Sequence, residues 1–343
     1  MKKKINFIDA LFSKEGHFLN DINNFSYLSD EFSLSYFLNG NISCTSNSIF
    51  RFFELHQLNK GHSILKQTIF LFHTFRKIKS FNFNYILSCN YISLYLISLF
   101  SKKNFYVLIH FIPTNNLFLY KLILKLLLSR SNGFIFLNEY IMFDFERKIS
   151  HKQSKLFVVN SRDLTFNFKQ LSINKMKTVL FIGVLNEFKS VDMLVKLINT
   201  NYYANVRFIF ASKGIKKLIP NLISKNNVII EDDYLSEDKY QNYMHVADFV
   251  FLSYVKNYGV RFSGTFIDAI NNNCNTICND IEIFKYFTSK YNTGYIFKNE
   301  NELHNILLNL QHVDINPKMY NDFSSNKRKS DFISIINNYF NNV

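Results

Sequence analysis

The chain has 343 residues, of which 48% are apolar and 19% charged, and its formal net charge is +14. This length favours two domains over one. The apolar fraction is high enough for a large buried core and argues against an intrinsically disordered chain. The positive charge is uneven, since residues 1–172 hold 21 Lys/Arg and 10 Asp/Glu whereas residues 173–343 hold 19 and 16. The first half is therefore expected to meet nucleic acid, an anionic membrane surface or a phosphorylated substrate. The alternative interpretation is a compositional drift toward Lys.

Cysteine usage and hydropathy argue against a disulfide-rich or zinc-binding protein and against a secreted or membrane-spanning one. Four cysteines are too few for a disulfide scaffold, and the Cys274–Cys278 pair has no nearby His that would suggest zinc. The basic start Met1–Lys4 is followed by an apolar run that Asp9 breaks, which does not fit a signal peptide. Residues 85–100 are uncharged but shorter than the roughly 20 residues that span a bilayer. We expect a cytoplasmic protein that associates with the inner face of the membrane.

In the first half, short apolar runs typical of strands alternate with longer amphipathic runs typical of helices. The expected strands are apolar on both faces, as in a parallel sheet covered by helices. Such alternation predicts a doubly wound α/β domain. The strands are predicted at 4–9, 84–88, 104–110, 133–137 and 155–160, and the helices near 17–38, 62–78, 91–101, 117–129 and 139–149.

The polar segment 161–177 interrupts this alternation and is interpreted as an interdomain linker. The pattern then restarts, which predicts a second α/β unit, and apolar spacing near the end predicts a helix that packs back on a domain. The predicted division is 1–165, 174–325 and the C-terminal helix 326–343. In the second unit, strands are expected at 178–182, 206–211, 227–231, 248–252 and 275–279, and helices near 190–199, 236–245, 263–272, 281–288 and 300–311.

The segment "TVLFIGVLNEFKSVDMLVKLI", 178–198, joins the first strand of the second unit to a helix. Gly183 at the strand's end allows close approach of a ligand to the backbone. Lys189 at the start of the following helix supplies a charge suited to phosphate. The alternative interpretation is an ordinary strand-to-helix turn with a surface lysine.

Two later segments also place candidate ligand groups after predicted strands. The loop 231–235, with Tyr234, lies where open α/β sheets bind ligands. In "YGVRFSGTFIDAI", 258–270, the small residues Ser263 and Gly264 open a helix whose free N–H groups suit an anion. Arg261 stands just upstream, and Asp268 lies about one turn into the helix. The alternative interpretation makes Asp268 an ordinary solvent-facing residue.

In order and spacing, these segments resemble the C-terminal domain of GT-B fold glycosyltransferases of family 4. The resemblance continues through "NNCNTICND", 272–280, and "YNTGYIF", 291–297. In the first half it is looser, with "EGHF", 15–18, and "VLIHFIP", 107–113, similar to the loop after the family's first strand and to a later strand end. It covers roughly residues 4–310.

The resemblance implies two Rossmann-like domains that face each other across a cleft, the second of which binds a nucleotide-diphosphate sugar, either a UDP- or a GDP-sugar. The expected donor-binding residues are Gly183, Lys189, Tyr234, Arg261, Ser263, Gly264 and Asp268. Within this set, the helix start at Ser263–Gly264 and the cations suit the diphosphate, while Asp268 as an acceptor suits the ribose diol.

The same resemblance implies a hexosyltransferase-like enzyme of the retaining type with no protein nucleophile and no metal. It places His110 and His17, in the first domain, near the reacting sugar. The alternative interpretation gives each histidine a purely structural role. The expected acceptor is a glycan or a lipid-linked glycan of surface polysaccharide biosynthesis. A nucleic-acid partner is not expected, because the chain has no helix-turn-helix, zinc or RRM signature.

The sequence departs from the family's pattern at three positions. Val184 stands where an Arg is usual, Val260 stands where the first Glu of an E-x7-E pair is usual, and Asp268 shortens the second Glu. Arg261 is the candidate substitute for the missing Arg. These departures motivate the alternative function, a catalytically inactive GT-B protein that acts as a binding or partner subunit.

Overall fold

A computed structural model describes residues 2–10, 25–39, 54–57, 63–101, 104–110, 117–149, 155–160, 164, 176–185, 187–255, 258–259, 261 and 263–342. The chain forms two compact units. Unit 1 comprises Met1–Asn160 and Lys329–Val343, and unit 2 comprises Ser161–Arg328. Most of the predicted linker, 161–177, lies outside the described residues, as does His17, one of the two predicted catalytic residues.

Unit 1 is built on a parallel sheet of seven described strands in the order β3-β2-β1-β4-β5-β6-β7. Its strands are β1 (Lys4–Asp9), β2 (Ser33–Leu38), β3 (Glu54–Gln57), β4 (Phe83–Ser88), β5 (Tyr106–Ile109), β6 (Gly133–Phe136) and β7 (Leu156–Val158). The central strands β1, β4 and β5 are buried except at Lys4 and Ser88, which explains why their sequences are apolar on both faces.

The helices of unit 1 are α1 (Ile64–Lys77), α2 (Tyr91–Phe100), α3 (Leu117–Arg130) and α4 (Glu139–Ile149). The starts of α1 and α2 are fixed by N-caps, because Ser63 and Asn90 accept hydrogen bonds from backbone N–H groups of the first turn. A C-terminal helix also belongs here, since its Phe332 and Ile336 share one core cluster with Phe7 of the sheet.

Unit 2 repeats the arrangement with a parallel six-stranded sheet in the order β10-β9-β8-β11-β12-β13. Its strands are β8 (Lys177–Ile182), β9 (Val206–Ala211), β10 (Val228–Glu231), β11 (Phe249–Leu252), β12 (Asn275–Asn279) and β13 (Gly294–Phe297). Its helices are α5 (Asp192–Thr200), α6 (Glu237–Val246), α7 (Gly264–Asn271), α8 (Glu282–Tyr291), α9 (Glu300–Leu308) and α10 (Lys318–Asp322), and the C-terminal helix α11 (Ser325–Asn341) continues into unit 1. The predicted fold class, two doubly wound α/β units, is confirmed.

One predicted element is wrong. A helix was expected over 17–38, but the described part of this range contains a short 3-10 helix, Ser26–Asp30, followed by strand β2. Strand β3, which pairs with β2, was not predicted at all. The apolar residues of "SLSYFL" fit either a helix or a strand, and the strand forms because β1 offers it a parallel partner along its whole length.

Candidate functional site

The topology of unit 2 marks one position on its sheet. From β8 the chain winds outward through β9 and β10, and it then returns to start β11 on the other side of β8. Open α/β sheets bind ligands at such a switch point, beyond the carboxyl ends of the two strands. Gly183 follows β8 and Ser253 follows β11, so both stand at this position.

Gly183 lets three segments meet at the switch point. Its φ is +102°, a conformation that L side chains rarely adopt. A Cβ atom placed on Gly183 would lie 2.8 Å from Nζ of Lys189 and 3.5 Å from Oγ1 of Thr265 in the first turn of α7. The end of β8, the lysine and the start of α7 are therefore close neighbours.

Lys189 carries its positive charge in a partly desolvated place. Its Nζ donates to the carbonyl oxygen of Ile182 at 3.0 Å and lies 5.9 Å from the ring centroid of Tyr254. The backbone of Lys189 is also bridged to Tyr254, which fixes the loop against the end of β11. Burial lowers the pKa of the lysine to about 8. A nearby anion would stabilise the charged ammonium form and raise this pKa again.

Ser263 stands at the start of α7. Ser263 is buried, and its Oγ accepts from the backbone N–H of Phe266 at 3.2 Å and lies 2.9 Å from the hydroxyl of Tyr254. Its side chain is thus the N-cap of the helix. Any anion here would meet the backbone N–H groups of the first turn, from Gly264 onward, and the positive end of the helix dipole.

Asp268 lies about one turn into α7 and is half-buried. Its Oδ2 accepts a hydrogen bond from the hydroxyl of Tyr240 on α6 at 2.8 Å. This carboxylate is therefore held in one orientation and is not a freely solvated surface group. The sequence did not single out Tyr240, because a tyrosine within an amphipathic helix gives no signal of a partner 28 residues away.

Arg261 lies against the loop that carries Lys189. Its guanidinium carbon is 4.3 Å from the ring centroid of Phe188, the residue before the lysine. The same charge acts on Tyr258, whose pKa burial raises to about 12 while Arg261 opposes that rise. The structure thus brings a second cation to the neighbourhood of Lys189, whereas Val260 lies outside the described residues.

Tyr234 stands at the same edge of the sheet but apart from the group around Gly183. It follows β10, two strands away from β8, and its ring is exposed. Nζ of Lys213, which follows β9, lies 4.0 Å from the centroid of this ring. The pair forms a cationic and aromatic rim at the carboxyl end of the sheet.

In unit 1, the predicted catalytic residue His110 follows β5 at the carboxyl edge of the sheet, and its Nε2 lies 2.9 Å from the carbonyl oxygen of Leu87. A second group was not predicted. At the switch point between β1 and β4, the Ser88 hydroxyl donates to Oδ1 of Asp9, and Tyr36 donates to Oδ2 at 3.4 Å. An acidic residue at the end of the first predicted strand was the signal available for it.

Metal clusters and membrane spans are both absent from the described ranges. Within them, no cluster of three or more His, Cys, Asp or Glu residues is arranged to hold a metal ion. Nor does any helix in this part of the chain have the length and hydropathy needed to cross a membrane.

No protein-family model and no curated protein matches this sequence, but solved structures match it over nearly all of its length. The glycosyltransferase from Rickettsia africae is 14% identical with a TM-score of 0.69, and each chain is covered fully. HepE from Anabaena in complex with UDP is 12% identical with a TM-score of 0.67, covering 98% of this chain and 100% of HepE. The lipopolysaccharide outer core galactosyltransferase WaaB is 11% identical with a TM-score of 0.66, covering 97% of this chain and 99% of WaaB.

At identities this low, the likeness establishes the fold. The chain has the GT-B fold of these glycosyltransferases, and the resemblance stated from the sequence is confirmed at that level. Membership of family 4 stays a prediction.

Proposed function

We propose that this protein is a glycosyltransferase that moves a hexose from a UDP- or GDP-sugar to a glycan or lipid-linked acceptor in surface polysaccharide biosynthesis. The observation that carries the proposal is the meeting of Gly183, Lys189 and the start of α7 at the switch point of unit 2. Structures with the same fold have been solved with UDP and with UDP-glucose, which supports a nucleotide-sugar donor.

Four of the predicted donor side chains have roles in donor binding that their surroundings support. The charges of Lys189 and Arg261 and the first-turn N–H groups of α7 would hold the diphosphate. Asp268, oriented by Tyr240, would accept hydrogen bonds from the ribose hydroxyls. Tyr234 offers an aromatic ring at the edge where the base would lie.

The reaction breaks the bond between the sugar's anomeric carbon and the diphosphate oxygen, and it forms a bond from that carbon to an acceptor hydroxyl oxygen. Negative charge builds on the departing diphosphate, so the contribution of Lys189 and the helix start grows toward the transition state. In a retaining reaction the acceptor approaches from the face that the diphosphate leaves, and the hydroxyl proton passes to the diphosphate. No nucleophile is assigned, and His110 and His17 would orient the reacting sugar.

The acceptor determines where the protein works. A lipid-linked acceptor places the reaction at the inner face of the cytoplasmic membrane, with the protein as a peripheral component. The greater positive charge of the first half supports contact with an anionic surface.

A thermal-shift screen against UDP-, GDP-, ADP- and CMP-sugars tests donor binding. We expect a rise in Tm with UDP- or GDP-sugars and its loss in Lys189→Met. Transfer is then measured by release of free nucleotide with an oligosaccharide acceptor mixture. No Tm shift with any donor would contradict the proposal, whereas binding without turnover would favour the alternative, an inactive partner subunit, which the Val184 and Val260 departures motivate.

A further inference from the structure

The charge of unit 1 is concentrated in one continuous part of the sequence. From residue 55 to residue 138 the chain contains ten Lys or Arg and no Asp or Glu. Helices α1, α2 and α3 all lie within this stretch. A run of 84 residues without an acidic group leaves its cations without carboxylate partners inside the run, which gives this part of unit 1 a net positive charge.

The three helices also lie side by side. Helix α1 packs against α2, and α2 packs against α3. Their inner residues, such as Phe70, Leu94 and Leu124, are fully buried. The residues on the other side of each helix together form one outer surface, which we call the basic apolar face.

This outer surface is apolar where an ordinary surface helix is polar. Leu65, Ile69 and Phe72 are exposed along one stripe of α1, at the spacing of successive helical turns. At the ends of α2 and α3, Phe100 and Phe118 are 84% and 85% exposed. The remaining large exposed apolar residues of the three helices are Ile64, Leu96, Leu99, Leu119 and Leu122.

Cations lie among these apolar groups. Arg76 continues the exposed stripe of α1, and its guanidinium carbon is 5.6 Å from the ring centroid of Phe72. Lys121 and Lys125 are one turn apart on α3. A groove of about 440 Å³ between α1 and α2 is also lined by one cation among apolar side chains. The cation is Arg76, and the apolar residues are Phe72, Phe75, Ile97 and Phe100.

We propose that the basic apolar face docks on an anionic lipid bilayer, with Phe100 and Phe118 inserted at the level of the headgroups and the cations paired with lipid phosphates. Helices that lie in a membrane interface combine apolar and aromatic side chains with Lys and Arg in this way. A second copy of the chain is disfavoured as the occupant, because two such faces would bring like charges together. The basic apolar face would be the surface through which the protein reaches the peripheral membrane location proposed above, whether or not it transfers a sugar.

Sedimentation with vesicles tests this inference. We expect the wild-type chain to bind vesicles of equal parts phosphatidylglycerol and phosphatidylcholine, to ignore pure phosphatidylcholine, and to be released by high salt. The pair Phe100→Ser with Phe118→Ser and the pair Lys121→Glu with Lys125→Glu should each weaken binding by about tenfold or more.

Matched controls come from unit 2. Tyr202→Ser with Ile223→Ser removes two apolar groups that are also exposed, and Lys216→Glu with Lys217→Glu reverses two exposed charges. Both control pairs should bind anionic vesicles as the wild type does. The residues proposed to bind the nucleotide lie in unit 2 and outside the basic apolar face, so loss of vesicle binding with the UDP-induced thermal shift intact supports docking independently of the proposed enzyme activity.

Three results would overturn the inference: equal binding by the face and control variants, equal binding to neutral and anionic vesicles, or a wild-type chain that is dimeric in solution and becomes monomeric when Phe100 and Phe118 are replaced. The last would identify a second copy as the occupant. Each variant's Tm is compared with that of the wild type, and if the Phe pair unfolds the chain, the single change Phe100→Ser replaces it.

Discussion

Nζ of Lys189 occupies space that a side chain at Gly183 would need. A Cβ atom on Gly183 would stand 2.8 Å from this nitrogen, which is closer than real Cβ contacts allow. The nitrogen is itself held by the carbonyl oxygen of Ile182, directly before the glycine. A side chain at Gly183 would therefore displace the ammonium group of Lys189.

Replacing Gly183 by Ala tests this coupling. The substitution forces a residue with a side chain into a φ of +102° and pushes the lysine aside, so we expect a loss of about 1–3 kcal/mol in the free energy of unfolding and weaker donor binding. Gly214→Ala is the matched control, since its φ is +83° and nothing lies within 4 Å of the added Cβ. Gly214→Ala should lose stability but keep donor affinity, and equal affinity losses in both would count against the coupling. Chemical denaturation and titration with the donor measure the two effects.

The pKa of Lys189 predicts how donor affinity depends on pH. Burial holds this pKa near 8, so the ammonium charge is lost as the pH rises through that value in the free protein. A bound diphosphate favours the charged form, and affinity should therefore fall between about pH 7 and pH 9. Calorimetric titration across this range should show the fall in wild type and its absence in Lys189→Met. Lys196→Met, which removes a surface ion pair with Glu300, is the control and should keep the wild-type pH profile.

The same pKa predicts an effect on stability. The unfolded chain keeps the lysine proton up to its ordinary pKa of 10.5, whereas the folded chain releases it near 8, so the charge costs stability below about pH 8 and the cost disappears as the pH rises toward 10.5. Lys189→Met should therefore raise the free energy of unfolding of the ligand-free protein at pH 7 by roughly 1–2 kcal/mol. Urea denaturation at pH 7 and pH 10 measures this gain, and a variant less stable than wild type at pH 7 would refute the assigned cost.

Asp268 is expected to recognise the ribose. Asp268→Ala should weaken UDP binding by about tenfold or more, because a charged acceptor is lost, and Tyr240→Phe should have a smaller effect through the orientation of the carboxylate. The ligand provides the control. If Asp268 contacts the 2′-hydroxyl, 2′-deoxy-UDP should bind the wild type weakly and should lose little more in Asp268→Ala. If removal of the 2′-hydroxyl and Asp268→Ala weaken binding additively, Asp268 does not contact that hydroxyl.

Arg261 is expected to bind the diphosphate in place of the arginine that Val184 replaces. Arg261→Ala should weaken UDP binding several-fold while leaving the binding of uridine unchanged, since uridine has no phosphate. Arg207→Ala is a suitable control because Arg207 donates to Thr178 at the opposite, amino-terminal end of the sheet. An unchanged UDP affinity in Arg261→Ala would end this assignment.

The amount of structure that could be predicted from the sequence differs between the fold and the site. In unit 2, short apolar runs alternate with longer runs of helical periodicity, and this alternation predicted the strands and helices closely. A short run that is apolar at every position, between two amphipathic helices, is typical of a strand buried on both faces. The helix predicted over 17–38 was wrong because a short apolar run such as Ser33–Leu38 is compatible with a helix or a strand. Pairing with β1 makes it a strand.

The sequence by itself determined which residues are candidates for donor binding and their order along the chain, since Gly183, Lys189 and the start of α7 follow strands whose carboxyl ends must share one edge of a parallel sheet. Only the tertiary structure decided which groups meet. It assigned Ser263 to capping α7, gave Asp268 the hydroxyl of Tyr240, and set Arg261 against Phe188. The physical reason is that sequence periodicity specifies which face of an element is buried, whereas contacts between elements far apart in the chain arise from packing.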